Sequence, residues 1–101
     1  MPFDLKHTYK PKPVEKRVDT LDDSVFVKPL KVSTIKRLSE ESNGLVVAFE
    51  FLTECIVDES GHQLFNTVEE CEKHFGDYPM EVVNELVEAV NEVSGLDSKK
   101  N

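Results

Sequence analysis

"LVVAFEFLTECIV", residues 45–57, is the most apolar stretch of the chain, and its composition suits a strand as well as a helix. Valine and phenylalanine favour extended backbone, so the placing of the polar residues has to decide. Wound at about 100° per residue, Glu50, Thr53 and Glu54 gather in one arc, while Leu45, Ala48, Phe49, Phe51, Leu52, Cys55 and Ile56 fill the opposite one. Drawn as a strand, the same residues put Phe49 and Phe51 on one face with Thr53 and Cys55, and leave Glu50, Leu52 and Glu54 on the other. The helical partition is cleaner. The spacing predicts a helix over Leu45–Ile56 that supplies much of the core.

C-terminal to this helix, "DESG" (58–61) is a run of turn formers with Gly61 where positive φ costs nothing. "HQLF" (62–65) returns to apolar side chains that can cover the core. Thr67-x-x-Glu70 matches a capping box, in which the hydroxyl accepts from the N3 amide and the glutamate reaches back. Val68, Cys71 and Phe75 line one face of the short helix it opens, and Gly76 ends it. "DYPMEVVNELVEAVNEVSGL" (77–96) is the clearest helix, with Asp77 or Tyr78 at its cap and Pro79 in its first turn. Met80, Val83, Leu86, Val87, Val90 and Val93 form its apolar stripe. Glu81, Asn84, Glu85, Glu88, Asn91 and Glu92 form its wet side. Gly95 is placed as a C′ glycine, with Leu96 able to fold back on the last turn.

N-terminal to residue 45, "VSTIKRLSEESNG" (32–44) reads as a short helix capped by Ser33 or Thr34, carrying Ile35 and Leu38 inward and stopping at Asn43-Gly44. "VEKRVDTLDDSVFVKPL" (14–30) reads as a hairpin: "DTLDDS" turns, Val25 and Val27 face one way, Phe26 and Lys28 the other, and Pro29 ends the second strand or puts it at an edge. Residues 1–13 hold three of the five prolines and little apolar pattern, which predicts a flexible or extended arm. The expected fold class is α+β, a mainly α-helical small domain with an N-terminal β-hairpin. One domain spans 14–97, between the arm 1–13 and a frayed tail 98–101. Asp in place of Leu52 or Val87 is expected to unfold it by burying an unpaired charge.

A chain of 101 residues is one domain of ordinary size. It has no run of about 18 apolar residues for a bilayer. The N-terminal "MPFDLKHTYKPKP" lacks the apolar core of a secretory signal, which points to use in a cytoplasm. Cys55 and Cys71 make no disulfide framework and read as small core residues. The net charge of -8 is unevenly spread. Residues 1–17 carry Lys6, Lys10, Lys12, Lys16 and Arg17 against Asp4 and Glu15, whereas Leu38 to Ser98 holds fifteen acids and the single base Lys73. Such a field repels phosphate backbones and anionic lipid, so neither nucleic acid nor membrane is an expected partner. A lysine-rich protein would be attracted.

Candidate chemistry is thin. A zinc site would have to use Cys55, Cys71, His74 and His62, and their spacing matches no structural zinc signature. A calcium loop from Asp58 has its glycine fourth rather than sixth, and Phe65 and Asn66 interrupt it. Glu59 and His62 could form an acid/base pair on paper, but general acid/base work needs an enclosing pocket and shifted pKa values. The sequence has no phosphate cradle, nucleophile elbow or triad order. No catalytic residue, metal or cofactor is therefore expected. The acidic helical surface reads instead as a docking face. The aliphatic residues left over from the stripes, Val46, Val47, Val57 and Val82, are its expected partner-binding contacts.

The order of these pieces resembles the tail assembly chaperones of long-tailed bacteriophages. That family repeats a "v-v-r-P-L" strand, a "D-x-x-G-x-x-L-F" turn and a closing "a-x-x-L-s-G-L". The matching residues are Val25, Val27, Lys28, Pro29 and Leu30, then Asp58, Gly61, Leu64 and Phe65, then Val93, Ser94, Gly95 and Leu96, within a resemblance running from about Val14 to Asp97. Val93 stands where the family has leucine. The resemblance implies a chaperone that binds the tape measure protein in the host cell cytoplasm before the tail tube forms, and that is absent from the mature virion. It also implies a longer product, made by a one-base programmed ribosomal frameshift, whose added domain recruits the tail tube protein. Lys99-Lys100-Asn101 is encoded as AAR-AAR-AAY and so offers an A-rich slippery site if both lysine codons are AAA. Self-association is left open. The competing reading, from another class, is a small acidic regulator that mimics nucleic acid and blocks a host protein.

Overall fold

The hairpin forms as its turn residues dictate. In the computed structural model, which describes residue 6 and residues 8–96, strand β1 (Val14–Val18) pairs antiparallel with strand β2 (Asp23–Val27), with Val14 opposite Val27 and Val18 opposite Asp23. A single 3-10 turn, Asp19–Leu21, joins them. Asp22 takes the left-handed φ of 54°, a conformation that short polar side chains tolerate. The start of the arm (residues 1–5 and 7), Asp97 and the tail 98–101 lie outside the described residues, and Lys99-Lys100-Asn101 with them. Residues 8–13 run without helix or strand.

Four helices follow: α1 (Val32–Leu38), α2 (Gly44–Cys55), α3 (Val68–Phe75) and α4 (Met80–Val93). Between α2 and α3 the chain adds a short third strand, β3 (Ile56–Val57), giving one antiparallel sheet in the order β1-β2-β3. The protein is an α+β domain, mainly helical, with the hairpin at its N-terminal side. The third strand is not legible in the sequence. Ile56 leaves the helix with φ -82° and ψ 118° and pairs with Val27, and Val57 pairs with Phe26. Two β-branched residues at the end of an amphipathic run have no period of their own, and only the hairpin beside them selects the extended state.

The helix boundaries follow capping. Asn43 does not end the preceding helix. Its side-chain oxygen accepts from the amides of Leu45 (3.0 Å) and Val46 (3.3 Å), and so opens α2. Helix α1 stops earlier, at Leu38, and neither Ser33 nor Thr34 caps it, because both lie inside it. The acceptor comes from another element: the Glu54 carboxylate takes the Lys31 N–H at 2.9 Å and the Thr34 hydroxyl. A carboxylate at a helix N-terminus also meets the positive end of the dipole. At α3 the Thr67 hydroxyl accepts from Glu70 N at 3.1 Å as the capping box requires. The Glu70 carboxylate, however, takes the Asn66 amide (2.9 Å), one residue before the cap. Helix α4 starts after Pro79, with no side-chain cap from Asp77 or Tyr78. It closes in a complete Schellman motif: Gly95 at φ 76°, Leu96 N–H to Asn91 O (2.7 Å) and Gly95 N–H to Glu92 O (3.2 Å).

Helices α2 and α4 pack side by side. Gly44, Leu45 and Ala48 share a surface with Met80, Asn84 and Val87 near the helix starts. Near the helix ends, residues 30 and 31 reach Ser94 and Glu54: Leu30 N–H donates to the Ser94 hydroxyl at 2.9 Å, one residue before Lys31 meets Glu54. The two helices therefore run in the same direction. Leu52, Leu86, Ile56, Val18, Val27 and Val90 fill the space between helices and sheet. Thr53, placed on the wet arc by its polarity, is buried, and its hydroxyl is satisfied by the Phe49 carbonyl one turn back at 2.6 Å. Helix α4 contacts α2 on one side and the hairpin on the other, so its buried arc is wider than its stripe and takes in Val82 and Ala89.

Candidate functional site

The residues named as partner contacts divide two ways. Val57 and Val82 are 2% and 3% exposed and belong to the core, so neither is available to a partner. Val57 is covered because it sits in β3, and Val82 because α4 is packed on two sides. Val46 and Val47 are half-buried on α2.

One apolar surface that faces solvent lies at the starts of α2 and α4. Leu45 and Met80, both expected in the core, are 48% and 50% exposed. They occupy the first turns of α2 and α4, beyond the reach of the sheet, and between them runs a shallow groove. Gly44, Leu45 and Ala48 line it from α2, and Met80, Asn84 and Val87 from α4, with Glu88 at its border. Val87 is half-buried here and packs against the core from the groove side. The heptad-like spacing of these residues is visible in the sequence. Their lack of cover is not, because it depends on how far the neighbouring elements extend. Nearby on the surface, Tyr78 completes a ring cluster with His74, Phe75 and Phe65, whose adjacent centroids lie 4.8–5.7 Å apart.

The polar loop holds no enclosed acid/base pair of Glu59 and His62. Glu59 is exposed, and the acid beside the His62 ring is Asp58, with Nδ1 to carboxylate at 3.7 Å. Asp58 is a turn organiser. Its carboxylate accepts the His62 and Ser60 amides, each at 2.9 Å, and these bonds, the His62 amide first, hold its pKa below the usual carboxylate range. Gly61 follows at φ 94°, and the ring of Pro13 lies 3.6 Å from where a β-carbon would stand. The two thiols are buried. Burial pushes Cys55 up to about 12 and raises Cys71 as well, which is the state of packing residues rather than of nucleophiles or ligands. Among the described residues, no three His, Cys, Asp or Glu side chains gather as a metal site.

Glu85, placed on the wet side of α4, instead holds the hairpin turn to the helix. Its carboxylate accepts the Asp19 amide (2.8 Å), the Thr20 amide (2.9 Å) and the Thr20 hydroxyl (2.8 Å). The Thr20 amide is the main reason that its pKa is lowered. A depressed carboxylate pKa stabilises the fold above the unfolded value, and that gain is lost as pH falls through the folded value. Glu85→Gln is therefore expected to melt below the wild type at neutral pH. The gap between the two should close as the buffer is acidified into the carboxylate range. Thermal melts of both proteins across pH check this, and a gap independent of pH would remove the charge from the explanation.

Compared with protein-family models, characterised proteins and solved structures, the chain matches none.

Proposed function

We propose that this protein is a tail assembly chaperone of a long-tailed bacteriophage, which binds apolar helical segments of the tape measure protein and keeps them dispersed until the tube forms around them. The observation that carries the reading is the groove of Leu45, Ala48, Met80 and Val87 on a protein of net charge -8. An exposed apolar seat for a helix, carried on a strongly charged body, combines binding of an insoluble segment with repulsion between complexes. The ordered motifs from "VFVKPL" to "VSGL" support the same family. The contact is non-catalytic and uses no cofactor. The complex belongs to the host cytoplasm and is dismantled before the virion matures.

Competition from the nucleic-acid mimic is weakened by what the acids do. Glu54, Asp58, Glu70 and Glu85 all accept backbone N–H groups of their own fold, so they serve the architecture rather than a phosphate-like array. Salt separates the two readings. Co-purification with a tape measure protein fragment should persist from low salt to about 1 M, where the Debye length falls to about 3 Å. A complex lost steeply with salt, or none at all, rejects the chaperone. Expression from the gene with its downstream DNA, followed by intact mass, tests the longer product. An extension beginning near Lys100 supports recruitment of the tail tube protein, and a single product removes that step.

A further inference from the structure

The most exposed large apolar side chains are not in the α2–α4 groove. Val32 is 81% and Tyr9 72% exposed, and both line a second cleft, of about 690 Å³, on a different part of the surface. One wall is the arm segment Tyr9, Lys10 and Pro11. The other is the connection from β2 into α1, residues 28–32, with the Ser60-Gly61 turn completing the lining. Each wall carries a proline, and the ring of Pro13 packed over Gly61 ties the arm to the turn.

The cleft is basic on an acidic protein. Lys10, Lys28 and Lys31 all line it, and none of their ammonium groups forms an ion pair among the described residues. Only some of the other bases are engaged: Lys16 with Glu92, Arg17 with Asp19 and Asp22, and Arg37 with Glu50. Among the described residues no acid lines the cleft: of those nearest in the chain, Glu54 accepts the Lys31 amide and the Thr34 hydroxyl, Asp58 accepts the Ser60 and His62 amides, and the exposed Glu59 stands one residue outside the lining. Three ammonium groups and no carboxylate therefore face the cleft itself, and acids farther than about 8 Å are largely screened at physiological ionic strength.

We propose that this cleft docks a short, extended, acidic segment of a partner protein, with carboxylates on Lys10, Lys28 and Lys31 and apolar side chains against Tyr9 and Val32. The walls choose the occupant. Complementary charge selects carboxylates, and the uncovered apolar side chains between the lysines exclude a bare anion as the ligand. Lysine stems cover apolar surface while their ammonium groups stay at the rim, which suits alternating acidic and apolar side chains. This site is separate from the tape measure groove, and its test does not depend on that reading.

The probe is a short fluorescein-labelled peptide of alternating glutamate and valine, with a glutamine-for-glutamate version as control, read by anisotropy on the full chain. The glutamate peptide should bind and the glutamine peptide should not. Lys28→Glu with Lys31→Glu should weaken binding by about tenfold, as two rim ion pairs would. Lys10→Glu should weaken it too, and because Lys10 lies outside every helix and strand this variant leaves the fold intact. Glu59→Lys, one residue before the lining Ser60, should tighten it. The proposal is overturned if neither peptide binds, if both bind equally, if the charge reversals change nothing, or if inorganic phosphate displaces the peptide as an equal competitor.

Discussion

Leu52→Asp is expected to leave no cooperatively folded domain: no sigmoidal urea transition, and a far-UV signal without the helical bands. Leu52 is wholly buried in the middle of α2, among the largest fully buried side chains of the core. Truncation to alanine at such a site costs about 3–5 kcal/mol in lost transfer energy and residual cavity. Aspartate adds an unpaired carboxylate, which must shed its hydration or take up a proton. The sum approaches or exceeds the roughly 5–15 kcal/mol that hold a whole domain together. Leu52→Ala should still fold, with a much lower urea midpoint, and Leu86→Asp should repeat the collapse from α4, because Leu86 is equally buried. Val87→Asp, expected from the stripe alone to be as severe, should be milder, since Val87 is only half-buried at the groove. A soluble Leu52→Asp protein with a cooperative melt would show that the core lies elsewhere.

What the sequence makes legible here is local, and what it hides is tertiary. The hairpin turn, the Thr67 hydroxyl cap and the Schellman close at Gly95 each rest on contacts within a few residues, and each forms. The helix of residues 45–56 is legible because Glu50 and Glu54 lie on one side of it, and it is displaced by one residue at either end. By contrast, the sequence assigns Glu54 and Glu85 to solvent, but they hold backbone amides 23 and about 65 positions away. No periodicity encodes such pairings; a solvated glutamate and a capping one look alike in sequence. The same limit governs the candidate site. Val82 carries a polar-flank position but is covered when the hairpin lands on α4. Leu45 and Met80 carry core positions but lie beyond the last covering element. Burial is a property of neighbours, and a stripe records only which side of a helix wants one.

The groove gives the second large effect. Leu45→Asp with Met80→Asp is expected to abolish salt-resistant binding of the tape measure protein fragment while leaving the fold as stable as the wild type or slightly more so. Both residues stand in the first turn of their helices, where a carboxylate interacts favourably with the helix dipole by about 0.3–1 kcal/mol. Both are about half exposed, at 48% and 50%, so no large buried area is lost. At the seat itself the effect reverses. Each aspartate would put a charge under an apolar helix face, and loss of an anchor contact costs about 2 kcal/mol or more, roughly 30-fold in affinity. Two together take the complex down by about three orders of magnitude. The measurement is made at about 1 M salt, because added acids would attract a basic partner at low ionic strength and mask the loss. Equal or higher melting temperature with lost binding separates docking from folding. Binding that survives both aspartates would remove the α2–α4 groove as the seat, and with it the observation on which the chaperone reading rests.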